Sequence, residues 1–207
     1  IDFKPYHFTA GSTLFISKGQ VHAFDWQSRV EGYIILFTED FLSKGVTHSD
    51  VLSFYQLYNY HLHEPVLPPE EGGGGGFKVL VNEMYWEYLL SNDFGKEEIL
   101  RLLLKLFLLR AERIKQTVAS KGHNAEWFAT FSRFKNHLEK HYVRTRNAND
   151  YATEMNISYK HLNDVCKAIT ANTAKAFIDQ FIILEAKRQL AVTDISVKEL
   201  AYALGFD

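Results

Sequence analysis

Two hydrophobic periods divide the chain. Between residues 8 and 37, apolar and aromatic positions come in short runs: Thr13-Leu14-Phe15-Ile16, then Val21-His22-Ala23-Phe24-Asp25-Trp26, then Gly32-Tyr33-Ile34-Ile35-Leu36-Phe37. Gly, Gln and Ser separate them, which predicts a small antiparallel sheet or barrel. Alternation within the runs puts Leu14 and Ile16 on one face and Phe15 on the other, and opposes Val21, Ala23 and Asp25 to His22, Phe24 and Trp26. The second set, with Phe15 and Tyr33, is the candidate inner wall of a cavity. Residues 40–60 predict short, aromatic-rich helices. Pro65, Pro68, Pro69 and the glycines at 72–76 then mark a loop.

From residue 79 the period lengthens to that of a helix. Residues 79–90 and 96–119 hold helix formers and no proline. Ile99, Leu102, Leu103, Leu106 and Leu109, with Phe107 and Ile114 nearby, form an apolar stripe broad enough for more than one neighbour. It supports two readings. The helix covers its own sheet, or it dimerises, with Ile99, Leu102, Leu106 and Leu109 turned to a second copy. Lys121-Gly122-His123-Asn124 reads as a helix stop and short linker, dividing the chain into domains 1–122 and 123–207.

The second domain carries the sharper pattern. Residues 127–141 predict an amphipathic helix with Phe128, Phe131, Phe134, Leu138 and Tyr142 on one face. A short helix over 149–155 follows, with small Ala152 inward. Asn156-Ile157 turns the chain, and Ser158 is placed to cap the next helix. That helix, 159–169, buries Leu162 and Val165 and exposes Lys160, Asn163, Asp164 and Lys167. Two short helices joined by a turn with an alanine at the contact make a helix-turn-helix, whose second helix can enter a major groove. Lys160 suits guanine O6/N7 and Asn163 suits adenine N6/N7, while Asp164 accepts from cytosine N4 or orients Lys160. Ser158, Tyr159 and Lys167 complete the candidate DNA-binding set. A long helix over 174–192 leads to a second copy of the scheme. There Ser196 is the N-cap, Leu200, Ala201 and Leu204 are buried, and Gly205 ends the helix.

Charge agrees with this division once it is split. Residues 1–126 hold 12 Lys+Arg against 16 Asp+Glu (−4), residues 127–207 hold 11 against 9 (+2), and residues 131–188 hold 10 against 6 (+4). The basic excess falls where a phosphate-binding surface needs it. Cys166 is the single cysteine, so no intramolecular disulfide and no Cys-based zinc site can form, which suits a reducing, cytoplasmic setting. No apolar run reaches the length of a membrane span. Ile1 is no start methionine, so a longer parent chain is expected. His61 and His63 beside Glu64 read as ordinary loop histidines rather than a metal clamp, and Cys166 as core filler. No nucleophile elbow, phosphate loop or Cys/His pair is present, so neither catalysis nor a cofactor or metal is expected.

Residues 149–207 resemble the DNA-binding domain of AraC/XylS-family transcription regulators. The likeness rests on Ala152, Ser158, Leu162 and Lys167, on Ala186-Lys187 and Leu190, and above all on Ile195-Ser196-Val197-Lys198-Glu199-Leu200-Ala201 followed by Leu204-Gly205-Phe206-Asp207. Three positions depart from the family: Cys166 stands where phenylalanine is usual, Ile183 where arginine is usual, and Ala171 where a glycine usually follows the first recognition helix. The chain stops where the second recognition helix would begin. Gly11, Leu14-Phe15-Ile16 and Gly19-Gln20-Val21-His22 resemble, more loosely, the cupin-like sensor barrel of the same family. Phe24 breaks the His-x-His pair that a metal-binding cupin uses. The resemblance implies an α+β chain with a partial cupin-like β-barrel, a helical dimerisation segment and an all-α helix-turn-helix domain. It implies a homodimer on double-stranded DNA, with RNA polymerase as a further partner. A small effector with an apolar or aromatic body would bind at His22, Phe24, Trp26, Phe15 and Tyr33. The rival reading is a cupin-type small-molecule-binding protein or enzyme with a helical interaction module.

Overall fold

Helices form where the 3.6-residue period is sustained, and little else among the described residues is regular. The computed structural model describes residues 1–25, 29–44, 57, 64–69, 76–91, 93–119 and 125–206. Trp26, His61, His63, the glycines at 72–75 and the linker at 121–124 lie outside the described residues. The elements are β1 (Thr13–Leu14), α1 (Glu39–Ser43), β2 (Val66–Leu67), α2 (Gly76–Leu89), α3 (Lys96–Ala119), α4 (Ala125–His141), α5 (Ala148–Glu154), α6 (Tyr159–Thr170), α7 (Ala174–Val192) and α8 (Val197–Ala203). They fall into two units. One comprises Pro5–Ser17 and Ala23–Ser120, the other Ile1–Lys4, Lys18–His22 and Lys121–Asp207.

The first unit is built on α2 and α3. Leu104, Phe107, Leu108 and Ala111 recur on one face of α3 at helical spacing and bury against Phe77, Leu80 and Met84 of α2. The Phe77 and Phe107 rings meet edge to face at 4.9 Å, and Phe15 reaches Phe107 at 6.3 Å. Two buried cations find local partners. Arg101 donates from Nε to the Phe41 carbonyl (2.8 Å) and pairs with Glu97 and Glu98. Lys115 donates to the Leu57 carbonyl at 3.0 Å and lies over the Phe15 ring, and burial pulls its ammonium down to about 8.

The α+β expectation with a cupin-like barrel is overturned here. Among the described residues the only sheet is the antiparallel pair β1–β2, two residues each, with Thr13 opposite Leu67 and Leu14 opposite Val66. The runs 21–25 and 32–37 form no ladder. Alternation reports which side chains share a face, but a strand also needs a neighbour to accept its backbone hydrogen bonds. Without one, two-residue pairing against helices is what remains.

The second unit packs α4 to α8 around one aromatic core. Phe131, Phe134 and Leu138 of α4, Tyr151 of α5, Leu162 and Val165 of α6 and Phe177 and Ile178 of α7 are all buried. Phe131 meets Phe177 at 5.1 Å, and Phe134 meets Tyr151 at 5.7 Å, both edge to face. Each such side chain contributes about 1.5–3 kcal/mol by leaving water. The N-terminal residues join this unit through a buried ion pair. Arg188 of α7 donates from Nε and Nη2 to the two Asp2 oxygens (2.8 and 2.7 Å), and Gln20 donates to Asp2 as well. These bonds outweigh the desolvation of Asp2 and hold its carboxyl below the ordinary range. No helix among the described residues is long and apolar enough to cross a membrane.

Candidate nucleic-acid interface

The helix-turn-helix is assembled by caps and one small contact residue. Asn147 caps α5, its side chain accepting the Asn149 N–H at 3.0 Å. Tyr151 and Ala152 face inward, and the Tyr151 hydroxyl donates to the Thr145 carbonyl at 2.8 Å. Burial pushes that phenol up to about 12, which keeps it neutral in the core. Asn156 turns the chain at φ +56°, a left-handed conformation that asparagine tolerates. The Ile157 N–H then returns to the Ala152 carbonyl at 3.0 Å, and Arg133 of α4 donates to the Met155 carbonyl at 3.3 Å. Ser158 caps α6 by accepting from the His161 N–H at 3.1 Å, as its position in the sequence predicts.

α6 presents opposite faces to core and solvent. Leu162, Val165 and Cys166 are buried, while Ser158, Tyr159, Lys160 and Lys167 are exposed and Asn163 and Asp164 half-buried. Lys160, Asp164 and Lys167 are spaced four and three apart, so they form one stripe along the helix. Asn163 stands apart from them in one respect. Its side-chain oxygen accepts the Ala174 N–H at 3.1 Å, joining α6 to the first turn of α7. Burial pushes the Cys166 thiol up to about 12, so it packs as a neutral group.

Loop geometry explains one departure from the family pattern. Ala171 closes α6 at φ +57°, its N–H donating to the Lys167 carbonyl. That is the left-handed C-terminal position which glycine fills without strain. α8 opens with a capping box between Ser196 and Glu199 and buries Leu200 and Leu204. Gly205 follows at φ +76°, and a Cβ there would lie 2.2 Å from the Val143 carbonyl oxygen. Arg146 donates to the Leu204 carbonyl at 2.8 Å and covers the Phe206 ring at 3.3 Å. The Gly205-Phe206 pair thus locks the end of α8 to the loop between α4 and α5.

The residues expected to line an effector cavity are not gathered by a barrel. Phe15 is buried in the α2–α3 core, and Phe24 touches Phe8 edge to face at 6.5 Å. Tyr33 is exposed, donates to Asn82 at 3.3 Å and meets Tyr85 at 5.6 Å. His22 belongs to the other unit, where its Nδ1 lies 3.3 Å from the Gln20 carbonyl oxygen. Trp26 is outside the described residues. Of the positions expected to dimerise, Ile99 is 41% exposed, Leu102 55%, Leu106 41% and Leu109 49%. They line the face of α3 turned away from α2.

Sequence reasoning missed a second cluster. His137 and His141, one turn apart on α4, meet Glu154 at the end of α5. The histidine spacing was visible, but the carboxylate is brought in only by the fold.

No curated protein and no solved structure matches this chain. Residues 151–207 match a family model described as a helix-turn-helix domain, over the segment from α5 to the end of α8. The match supports an AraC-type helix-turn-helix in this segment, and with it a DNA-binding transcription regulator with DNA as its partner.

Proposed function

We propose that the chain is a sequence-specific transcription regulator that reads double-stranded DNA with α6 and works as a homodimer through α3. The observation that carries the DNA reading is the outward stripe of α6. Lys160 and Lys167 lie on solvent along a helix whose opposite face is wholly committed to the core. A helix held this way enters a major groove without unpacking its domain. Ser158 and Tyr159 stand at its entering end, with Asp164 beside Lys160. Lys160 is the principal base-reading residue. Bidentate reading of adenine by Asn163 would cost the bond to Ala174, so its contribution is to aim α6.

The dimer reading rests on spacing. Ile99, Leu102, Leu106 and Leu109 follow a three-four-three repeat, the seam along which two like helices interlock. Four aliphatic side chains left about half in water on one helix gain most from a second copy of the same seam. Charged substitutions at Leu102 and Leu109 give a folded monomer by light scattering, whereas insoluble protein would place that face inside its own subunit. Among the described residues no barrel is formed to hold an effector. The cupin part of the rival reading goes with the barrel.

Selection of the full chain against a random duplex library, followed by anisotropy titrations across salt, tests the DNA reading. The expected result is an enriched motif and a steep fall of affinity with salt. Lys160→Ala relaxes preference at one position by about 1–3 kcal/mol. Lys167→Ala weakens all sequences alike and lowers the salt slope by about one. Unchanged preference and slope in both variants would show that α6 is not the reader.

A further inference from the structure

The cluster of His137, His141 and Glu154 has the makings of a metal centre. His137 and His141 are i and i+4 on α4, so both imidazoles leave the same face one turn apart. Their ring centroids are 6.3 Å apart. Glu154, the last residue of α5, closes the group from the neighbouring helix. One ligand atom from each of the three lies within 4.8 Å of the others. His137 Nδ1 is buried, and its contact with Glu154 Oε2 is a long one of 3.5 Å. A buried ring nitrogen so weakly satisfied gains from a closer ligand.

We infer that His137, His141 and Glu154 form a binding site for a borderline divalent transition metal of the Zn²⁺ class, joining α4 to the first helix of the helix-turn-helix. Two imidazoles and one carboxylate suit such an ion, and they leave a fourth position for water. Tetrahedral coordination at about 2.05 Å needs ligand atoms about 3.3 Å apart. The three ligand atoms, all within 4.8 Å of one another, therefore have to close by at most about 1.5 Å. Glu154 already has an outer partner. Its Oε1 accepts from Arg144 while Oε2 faces the histidines, so Arg144 holds the carboxylate in orientation without itself facing the ion. An acidic cluster for Ca²⁺ or Mg²⁺ would present oxygens rather than ring nitrogens, so the donor set disfavours those ions.

The consequence of binding is local. The ion ties Glu154, five residues before the first residue of α6, to the helix that already supports the turn through Arg133. Zinc added to the full chain stabilises the helix-turn-helix unit and leaves the α2–α3 unit unchanged.

The test is isothermal titration of the metal-stripped full chain with zinc chloride, with cobalt chloride as a spectroscopic substitute. The expected result is one site per chain and the absorption of tetrahedral Co²⁺ without a thiolate charge-transfer band, since Cys166 is not a ligand. His141→Gln lowers zinc affinity by about 100-fold or more, with an unchanged circular dichroism spectrum and an unchanged melting temperature in metal-free buffer. The double variant His61→Ala/His63→Ala retains the site. Absence of binding in the wild-type chain overturns the inference. So does binding that survives His141→Gln, or binding that disappears with the His61/His63 pair. If His141→Gln fails to fold, Glu154→Gln takes its place with the same two outcomes.

Discussion

Replacing Gly205 by alanine isolates what the Gly-Phe pair does for the helix-turn-helix unit. The residue sits at φ +76°, and the new Cβ would meet the Val143 carbonyl oxygen at 2.2 Å and its carbon at 3.2 Å. Two costs add. The left-handed conformation costs an L-residue about 1–2 kcal/mol, offset by about 0.4–1 from the stiffer unfolded chain. The collision is with backbone, which no rotamer relieves, and overpacking of this kind costs about 1–3 kcal/mol. The sum is about 3 kcal/mol. Gly19 supplies the control inside the same unit. It has φ +81°, but a Cβ there meets only the Arg188 side chain at 3.9 Å, an ordinary contact. Gly19→Ala therefore costs about 1 kcal/mol, the conformational part alone. The assay is urea unfolding in a Trp26→Phe/Trp86→Phe background, which leaves Trp127 of α4 as the only tryptophan. With an m-value of about 2 kcal/mol/M, Gly205→Ala moves the midpoint down by about 1.5 M and Gly19→Ala by about 0.5 M. Equal midpoints in the two variants would refute the reasoning, because the Val143 approach would then carry no energy.

Two further perturbations follow from the same geometry and electrostatics. Ala171→Gly relieves a left-handed alanine at the end of α6 and stabilises the unit by about 0.5–1 kcal/mol in the same assay. A loss of stability would mean that the α6 terminus is held by something other than this turn. Lys115, pulled from 10.5 to about 8 by burial, binds fewer protons in the folded than in the unfolded chain between those values. Stability of the α2–α3 unit therefore rises with pH from about 8 to about 10.5. Lys115→Met abolishes that rise. Below pH 8 it stabilises by about 3 kcal/mol for the charge, less about 1 for the bond to the Leu57 carbonyl. A slope that persists in Lys115→Met would assign it to another group.

The sequence alone determined the helical second half almost to the residue. Ser158 and Ser196 were legible as caps because a cap is chosen by the side chain at one position and the N–H groups two or three residues later. α7 followed from a long run of helix formers without proline or glycine, and Ala152 at the contact from its size. All of these are local properties. The tertiary structure decided what depended on partners distant in the chain. Among the described residues, the strand-like runs before residue 40 contribute one two-residue strand, paired with Val66–Leu67, because alternation specifies sidedness and leaves the neighbouring strand unspecified. Asn163, by its exposed spacing a base reader, has its oxygen on Ala174 eleven residues later. Arg188, on a helix with no strong apolar face, is buried because Asp2 and Gln20 come to it from the other end of the chain. The His137–His141 spacing is local, but the carboxylate that turns it into a donor set stands on another helix. Periodicity and capping act over one or two turns and can be read along the chain, whereas pairing of strands, ions and ligands is settled only where the fold brings separate segments together.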